Sequence, residues 1–429
     1  MKPQRLTRIA DFLLYAGALV CLGLLASVFV RRNLHSPGAL WKYYIASFAG
    51  LLFFLFSLRW SEKNRVKFAL LCCSTLLSLY LAEAALVILF GPTTKFQVTE
   101  ELIARGIDAS PVINPSVFIP TDGLNHVFPF AGQANKQAVY CNESGRFSMY
   151  TSDEHGFNNP KWQSNPEIVL IGDSFSQGAC VDSGDDIAGQ LRKPGTSVLT
   201  LGTAGAGPLI ELAILREYAV GLKPNILLWI YYEGNDLVDL KSEETSAMLK
   251  RYVLDDGFSQ NLIGRQTEID AILRDYVAQA SEDETKKTRE RRPAEIAAAI
   301  KLSALRSRLM SILVKDHTLY DIAAVPDDDF TAVLRKANEY VKDWGGRMYF
   351  VYLPGYGRYN RPVDENNFCR RRQVIDLVGG LNIPLIDAQQ VFAAHRDPLS
   401  LFPNRKLGHY TPEGYRLVAN YIRERLLVE

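Results

Sequence analysis

The sequence has no charge imbalance. Its 429 residues carry a formal net charge of +1, and no basic stripe interleaved with aromatics runs through it, so nothing suggests nucleic acid or an acidic polymer as a partner. It is also poor in the patterns that hold ions and cofactors. His35, His126, His155, His317 and His395 fall at no ligand spacing, so no metal site is expected. The glycine-rich LGTAGAGP, Leu201 to Pro208, lacks the Lys-Ser/Thr ending of a phosphate-cradling loop, and no cofactor is implied. Ser174 is followed by Phe175 and Ser176, so the G-x-S-x-G elbow of the α/β-hydrolases is missing as well.

What the sequence does have is an apolar amino-terminal segment. Three runs, Arg8 to Arg31, Tyr43 to Leu58 and Phe68 to Phe90, read as membrane spans, the second one short. The first is too long for a signal peptide, and no cleavage site follows it. Lys2, Arg5 and Arg8 precede the first run, and Arg59, Lys63, Arg65 and Lys67 separate the second from the third. The positive-inside rule then places the amino terminus in the cytoplasm and everything after Gly91 outside it, as in a multi-pass protein of a bacterial inner membrane with a periplasmic domain. Glu83 lies inside the third run, either as a functional group or as a carboxyl hydrogen-bonded between packed helices.

Cysteine usage is compatible with this placement. Cys21, Cys72 and Cys73 fall in the apolar runs and read as small apolar residues. Cys141, Cys180 and Cys369 would meet an oxidising compartment, where one disulfide and one leftover thiol are the simplest arithmetic. Cys141 with Cys180 is the expected pair, because it would clamp the preceding segment beside the Ser174 turn.

Three regions follow: residues 1–95, a membrane segment; 96–165, an irregular lead-in without sustained periodicity; and 166–429, the main domain. Within the lead-in, Ser152 to Asn159 concentrates polar residues that read as an Asx-type turn. In the main domain, Ile168–Ile171, Val198–Leu201, Ile226–Tyr232, Met348–Leu353 and Ile383–Ile386 read as strands. Helical runs at Ser183–Leu191 and Pro208–Tyr218 lie between them, the pattern of a parallel sheet with right-handed crossovers. About a hundred residues between the third and fourth strands are too many for a crossover. Helical periods at Ile269–Ala280 and Ile296–Val314 flank a mixed-charge run, Ser281–Arg292, so a helical insertion at about 240–335 with a solvated tip is expected. A lid, a dimer contact and a docking arm are all open for it.

The strand ends carry the chemistry. Ile168–Ile171 is cut off by Gly172, Asp173 and Ser174, which places a hydroxyl at the carboxyl edge of a parallel sheet, where ligands bind. A hydroxyl needs a base to take its proton, and His409 in GHYTPEGY offers an imidazole. A backbone amide at Gly205 and the side-chain amide of Asn235 are suitable donors for a developing oxyanion. The four ordered blocks, Gly172-Asp173-Ser174, Gly205, Gly234-Asn235-Asp236 and His409 ahead of a final helix, resemble the SGNH hydrolases, also called the GDSL esterase and lipase superfamily. The resemblance spans about residues 166–427 apart from the insertion. It implies a flavodoxin-like three-layer α/β/α sandwich, with Ser174 as nucleophile of an acyl-enzyme and Ser174, Gly205 and Asn235 as oxyanion donors. One departure stands out. The family usually has Asp three residues before its histidine, and here that position is Lys406. His409 would then be oriented by a backbone carbonyl, by Asn404 or by an acid such as Asp397, with Asp173 and Asp236 as further supporting candidates. Tyr356 and Arg358 follow the fourth strand and are weak candidates for substrate contact.

The expected activity is a membrane-anchored serine esterase acting on carboxylic esters. O-acetylated cell-surface or exported glycan leads as substrate, and a lipid ester is the other source. An O-acyltransferase would use the same residues. A non-catalytic glycan-binding or assembly scaffold is the rival from another class, motivated by Lys406 and the insertion.

Overall fold

The computed structural model describes residues 3–31, 37–90, 93–121, 127–192, 195–313 and 324–428. His35, His126 and His317 lie outside the described residues. The chain divides into two compact units, Met1–Pro92 with Glu290–Lys315, and Thr93–Arg289 with Asp316–Glu429.

In chain order the helices are α1 (Pro3–Arg31), α2 (Pro37–Ser57), α3 (Glu62–Phe90), α4 (Lys95–Ala104), α5 (Ser174–Gln177), α6 (Ile187–Arg192), α7 (Pro208–Ile214), α8 (Asp236–Glu243), α9 (Ala247–Leu254), α10 (Gln266–Ile300), α11 (Ser303–Leu313), α12 (Asp328–Asp343), α13 (Arg371–Gly380), α14 (Gln389–Ala394) and α15 (Pro412–Val428). The strands are β1 (Ala109–Pro111), β2 (Gln137–Val139), β3 (Met149–Thr151), β4 (Ile168–Gly172), β5 (Val198–Thr200), β6 (Ile226–Tyr232), β7 (Arg347–Leu353) and β8 (Leu385–Asp387).

In the first unit α1 packs against α2 and α3. Gln4–Phe29 and Glu62–Ile88 are long and apolar enough to cross a membrane, and Tyr43–Ser57 is a shorter apolar helix. The acid that interrupts the first run, Asp11, meets Arg65 at 2.6 Å. Glu83 is 2 % exposed, and its carboxylate accepts the backbone N–H of Ala304 at 2.9 Å and of Leu305 at 2.7 Å. These are two of the unpaired donors in the first turn of α11, so Glu83 serves as a helix cap supplied from α3. The distal part of the insertion thus packs with the apolar helices. The mixed-charge run does not form a separate tip: residues 281–292 are helical within α10, because alternating Glu, Lys and Arg are good helix formers when solvated.

The second unit is built on a five-stranded sheet in the order β5-β4-β6-β7-β8, with every pairing parallel. Alternate residues of the central strands enter two cores. Val169, Ile171, Leu227, Trp229 and Tyr231 pack with α7, α12 and α13. Leu170, Leu228, Ile230 and Tyr232 pack with α6, α14 and α15. A strand covered on both faces has no use for polar alternation, which is why β6 reads ILLWIYY. The result is a three-layer α/β/α sandwich with the flavodoxin-like order, whose switch point lies between β4 and β6.

The lead-in is more regular than its composition suggests. Thr94 closes a capping box on α4, and β1, β2 and β3 form a small sheet. Three-residue strands are too short to print an alternation on the sequence. Val112, Ala138, Tyr140 and Tyr150 of this region pack on Ala179 and Ala204, in the turns after β4 and β5.

The capping role of Glu83 can be tested directly. Glu83→Ala leaves two buried donors of α11 unpaired, a loss of about 1–2 kcal/mol. Hydrogen exchange of peptides covering 303–313 in the detergent-solubilised chain is expected to accelerate about tenfold or more. Unchanged exchange there would remove the assignment.

Candidate active site

Ser174 opens α5 directly after β4, with Asp173 as its cap. The Asp173 carboxylate accepts the Phe175 N–H at 2.8 Å, which fixes the tight turn that lifts the Ser174 side chain to the sheet edge. Ser174, Gly205, Asn235 and His409 are each half-buried, while most of the residues flanking the first three are buried. All four are therefore partly accessible to solvent.

Ser174 and His409 come together. The Ser174 Oγ lies 2.8 Å from His409 Nε2, hydrogen-bond distance for a hydroxyl that hands its proton to an imidazole. The other ring nitrogen, Nδ1, lies 2.8 Å from Glu143 Oε1, and the second carboxylate oxygen of Glu143 accepts the backbone N–H of His409 at 2.8 Å. One carboxylate therefore holds both the ring and the backbone of the histidine. It also selects the tautomer with hydrogen on Nδ1 and leaves Nε2 as acceptor. Ring packing supplies the remaining restraint, since Phe175 lies 4.8 Å from the imidazole, centroid to centroid.

Glu143 was not among the expected orienting groups, and it resolves the departure at Lys406. Lys406 is exposed, and its position three residues before the histidine carries no part of the contact. Asp397 is engaged by Arg405 at 2.5 Å. Asn404 reaches the same place indirectly, donating from Nδ2 to the Glu143 carbonyl at 3.1 Å. Asp236 turns inward, accepting the Tyr232 N–H at 2.9 Å. A close approach makes the Glu143 contact possible: a Cβ on Gly408 would stand 2.5 Å from Glu143 Oε2. Cys141, two residues before Glu143, is joined to Cys180 in a disulfide, which ties the lead-in to the turn after α5.

The donor groups are also placed at strand ends. Gly205 adopts φ of +69°, a conformation that favours glycine. Its N–H donates to nothing among the described residues. Asn235 directs Nδ2 to Asp239 at 2.7 Å and to Asp173 at 3.3 Å, so a developing anion would compete with the longer of these two contacts.

The candidates after β7 are placed differently. Arg358 is 2 % exposed and forms a fully buried ion pair with Glu233, which also accepts the Gly355 N–H. A guanidinium whose fork is spent on a buried carboxylate is not offered to a substrate. Tyr356 is buried, its hydroxyl donating to the Arg405 carbonyl at 3.2 Å. The Ser152–Asn159 stretch is a turn, with the Asp153 carboxylate accepting from His155, Phe157 and Asn159.

Near these groups lie five carboxyls, Asp173, Glu211, Asp236, Asp239 and Glu243, four of them buried. Burial drives each one's pKa upward: Asp239 to about 6 and Glu243 to about 8, with Glu211 and Asp236 also held well above the ordinary range. Glu243 still accepts three amides at the start of α7, from Gly207, Leu209 and Ile210. As for metal ligands, Cys141, Glu143, Cys180 and His409 offer ligand atoms within 4.8 Å of one another, but bridged sulfurs have no thiolate to donate.

No protein-family model and no curated protein matches the chain. Solved structures do resemble it, three among them being these. One, placed in the G-D-S-L lipolytic family, from Desulfitobacterium hafniense, is 14% identical, with 61% of this chain and 99% of that one covered and a TM-score of 0.34. The lipase/acylhydrolase of Enterococcus faecalis is 13% identical, with 61% and 95% covered and a TM-score of 0.33. An acetyl xylan esterase is 9% identical, with 60% and 98% covered and a TM-score of 0.31. At such identities and scores they bear on no residue's role.

The buried carboxyls set a pH dependence. Between the ordinary carboxyl value of 4.5 and about 8 the folded chain retains a proton on Glu243 that the unfolded chain has released. Stability therefore falls as pH rises through that window. The melting temperature is expected to decline from about pH 5 to about pH 8, and Glu243→Gln to remove about one proton from that slope. An equal slope in the variant would contradict the assignment. The parallel sheet order makes this a flavodoxin-like α/β/α fold, with the blocks of Ser174, Gly205, Asn235 and His409 at its carboxyl edge.

Proposed function

We propose that the chain is a membrane-anchored serine esterase of the SGNH type. The single observation that supports it is the continuous line from Glu143 through His409 to Ser174, with 2.8 Å at each step. In this reading His409 Nε2 takes the Ser174 proton as Oγ attacks the ester carbonyl. Glu143 accepts from Nδ1–H and stabilises the imidazolium that forms. The amides of Ser174 and Gly205, with Asn235, receive the oxyanion. The imidazolium then protonates the departing alkoxide, and water repeats the sequence on the acyl-enzyme.

Lys406 is one of the two motives for a non-catalytic scaffold, and a carboxylate reaching His409 from another part of the chain answers that one. Partly accessible Ser174 and His409, with the polar Asn235 and Glu143 around them, suit a small acyl group on a hydrated carrier, so an O-acetylated glycan at the outer face of a membrane is the proposed substrate. The apolar helices α1 and α3 support the anchoring, with the amino terminus cytoplasmic and the sandwich, together with its lead-in, extracytoplasmic.

The test uses the full chain in detergent with a chromogenic acetyl ester and a serine-reactive phosphonate. Ser174→Ala is expected to abolish labelling and to lower kcat by about 10⁴-fold or more. Folded wild-type chain that neither turns over nor labels would refute the esterase. Glu143→Gln preserves the shape but not the tautomer preference, and is expected to lower kcat by about 10²–10⁴-fold with KM little changed. Full activity in that variant would show that the histidine does not depend on this carboxylate.

A further inference from the structure

Two of the four groups in the cluster of Cys141, Glu143, Cys180 and His409 are cysteines, and their oxidation state decides what the cluster can hold. We propose that opening the Cys141–Cys180 bridge creates a zinc site of two thiolates, one carboxylate and one imidazole, and that zinc bound there disarms Ser174. The second half of the proposal rests on the esterase reading; the binding half does not.

The ligand set is one that zinc favours: soft sulfur, imidazole nitrogen and a carboxylate oxygen in a closed tetrahedron. The four donor atoms already lie within 4.8 Å of one another. A tetrahedral ion at about 2.3 Å from each sulfur needs the sulfurs about 3.8 Å apart, which side-chain rotation supplies once they are no longer bonded. All four residues are half-exposed, so an ion has access from solvent.

The cluster is also held by contacts that the bridge does not supply. The Cys141 carbonyl accepts the Ser148 N–H at 2.8 Å, and Tyr140 donates its N–H to the Ser148 carbonyl at 3.0 Å. The Glu143 carbonyl is held by Asn404. Ala179, beside Cys180, donates to the Ser174 carbonyl at 2.9 Å and accepts the Tyr415 hydroxyl at 3.0 Å. Reduction therefore frees the sulfurs without removing the backbone contacts that keep them near Glu143 and His409.

The chemistry balances as follows. A dithiol gives two electrons and two protons to the bridge, becoming its own disulfide and leaving Cys141 and Cys180 as thiols. Zinc displaces the two thiol protons to solvent and binds the thiolates. If the ion takes Nδ1, the ring hydrogen moves to Nε2, and the atom facing Ser174 becomes a donor. If it takes Nε2, the acceptor lone pair itself is spent. Either way no lone pair remains to receive the Ser174 proton, and Glu143 is drawn to the metal.

The experiment uses the full chain in detergent, oxidised or reduced with a phosphine, which becomes its oxide with oxygen from water. Zinc chloride is the probe, and cobalt(II) the spectroscopic substitute. The reduced chain is expected to retain about one zinc ion on dialysis, and its cobalt form to show thiolate charge-transfer absorption in the near ultraviolet. Its acetyl-ester hydrolysis falls about 100-fold or more with zinc and returns with a chelator. The oxidised chain shows none of this. No zinc retention by the reduced chain would overturn the proposal, as would equal retention by the oxidised chain. Undiminished retention in a Cys141→Ser, Cys180→Ser variant would assign the metal to other cysteines and overturn it too. Should that variant not fold, the cobalt spectrum of the unaltered chain decides. An esterase that proves inactive leaves the binding arms fully readable.

Discussion

The position of one imidazole is the constraint on which the site depends. His409 must present Nε2 to Ser174 within hydrogen-bond distance, and a ring on a loop ahead of a helix has enough torsional freedom to miss. The Glu143 carboxylate removes that freedom by accepting from both the ring and the backbone of the same residue, and Phe175 closes off the face of the ring. Because Glu143 lies outside the sandwich, it must be held there in turn. The small sheet packed on Ala179 and Ala204, the disulfide, the Asn404 contact and the bare Cα of Gly408 all serve that end.

The sheet beneath is built for rigidity, with two apolar cores on opposite faces. Yet several carboxyls are buried near Ser174 and Asn235, and Glu211 has neither oxygen hydrogen-bonded among the described residues. Buried acids kept neutral are costly, and such local conflicts collect near functional sites. One of them, Glu243, also ties α8 to the start of α7, so the loops carrying Gly205 and Asn235 are linked from below by the same residue.

How much of this the sequence reveals depends on how local each signal is. The strands of the sandwich are legible because a doubly covered strand is a continuous apolar run, as in β6. Ser174 and His409 are legible because each sits in a short block with its own turn chemistry. Glu143 is not, for it stands in Asn142-Glu143-Ser144-Gly145, an ordinary turn composition, 266 residues from its partner. A signal was present nonetheless: pairing Cys141 with Cys180 already places the lead-in beside Ser174, and an acid two residues from Cys141 is then a candidate. Arg358 could not be read correctly without knowing that Glu233 waits for it at the end of the neighbouring strand. The run 281–292 conveyed solvation but not that one helix passes through it.

A carboxylate delivered from upstream also bears on how sequences of this kind are sorted. If competence were judged by whether an acid precedes the histidine by three positions, Lys406 would consign this chain to the degenerate members of its fold, and trimming at the first recognisable motif would discard the residue that replaces it. In the proposed reading the third group of the triad arrives from another stretch of the polymer, so the boundary of the proposed catalytic machinery runs ahead of the boundary of the sandwich.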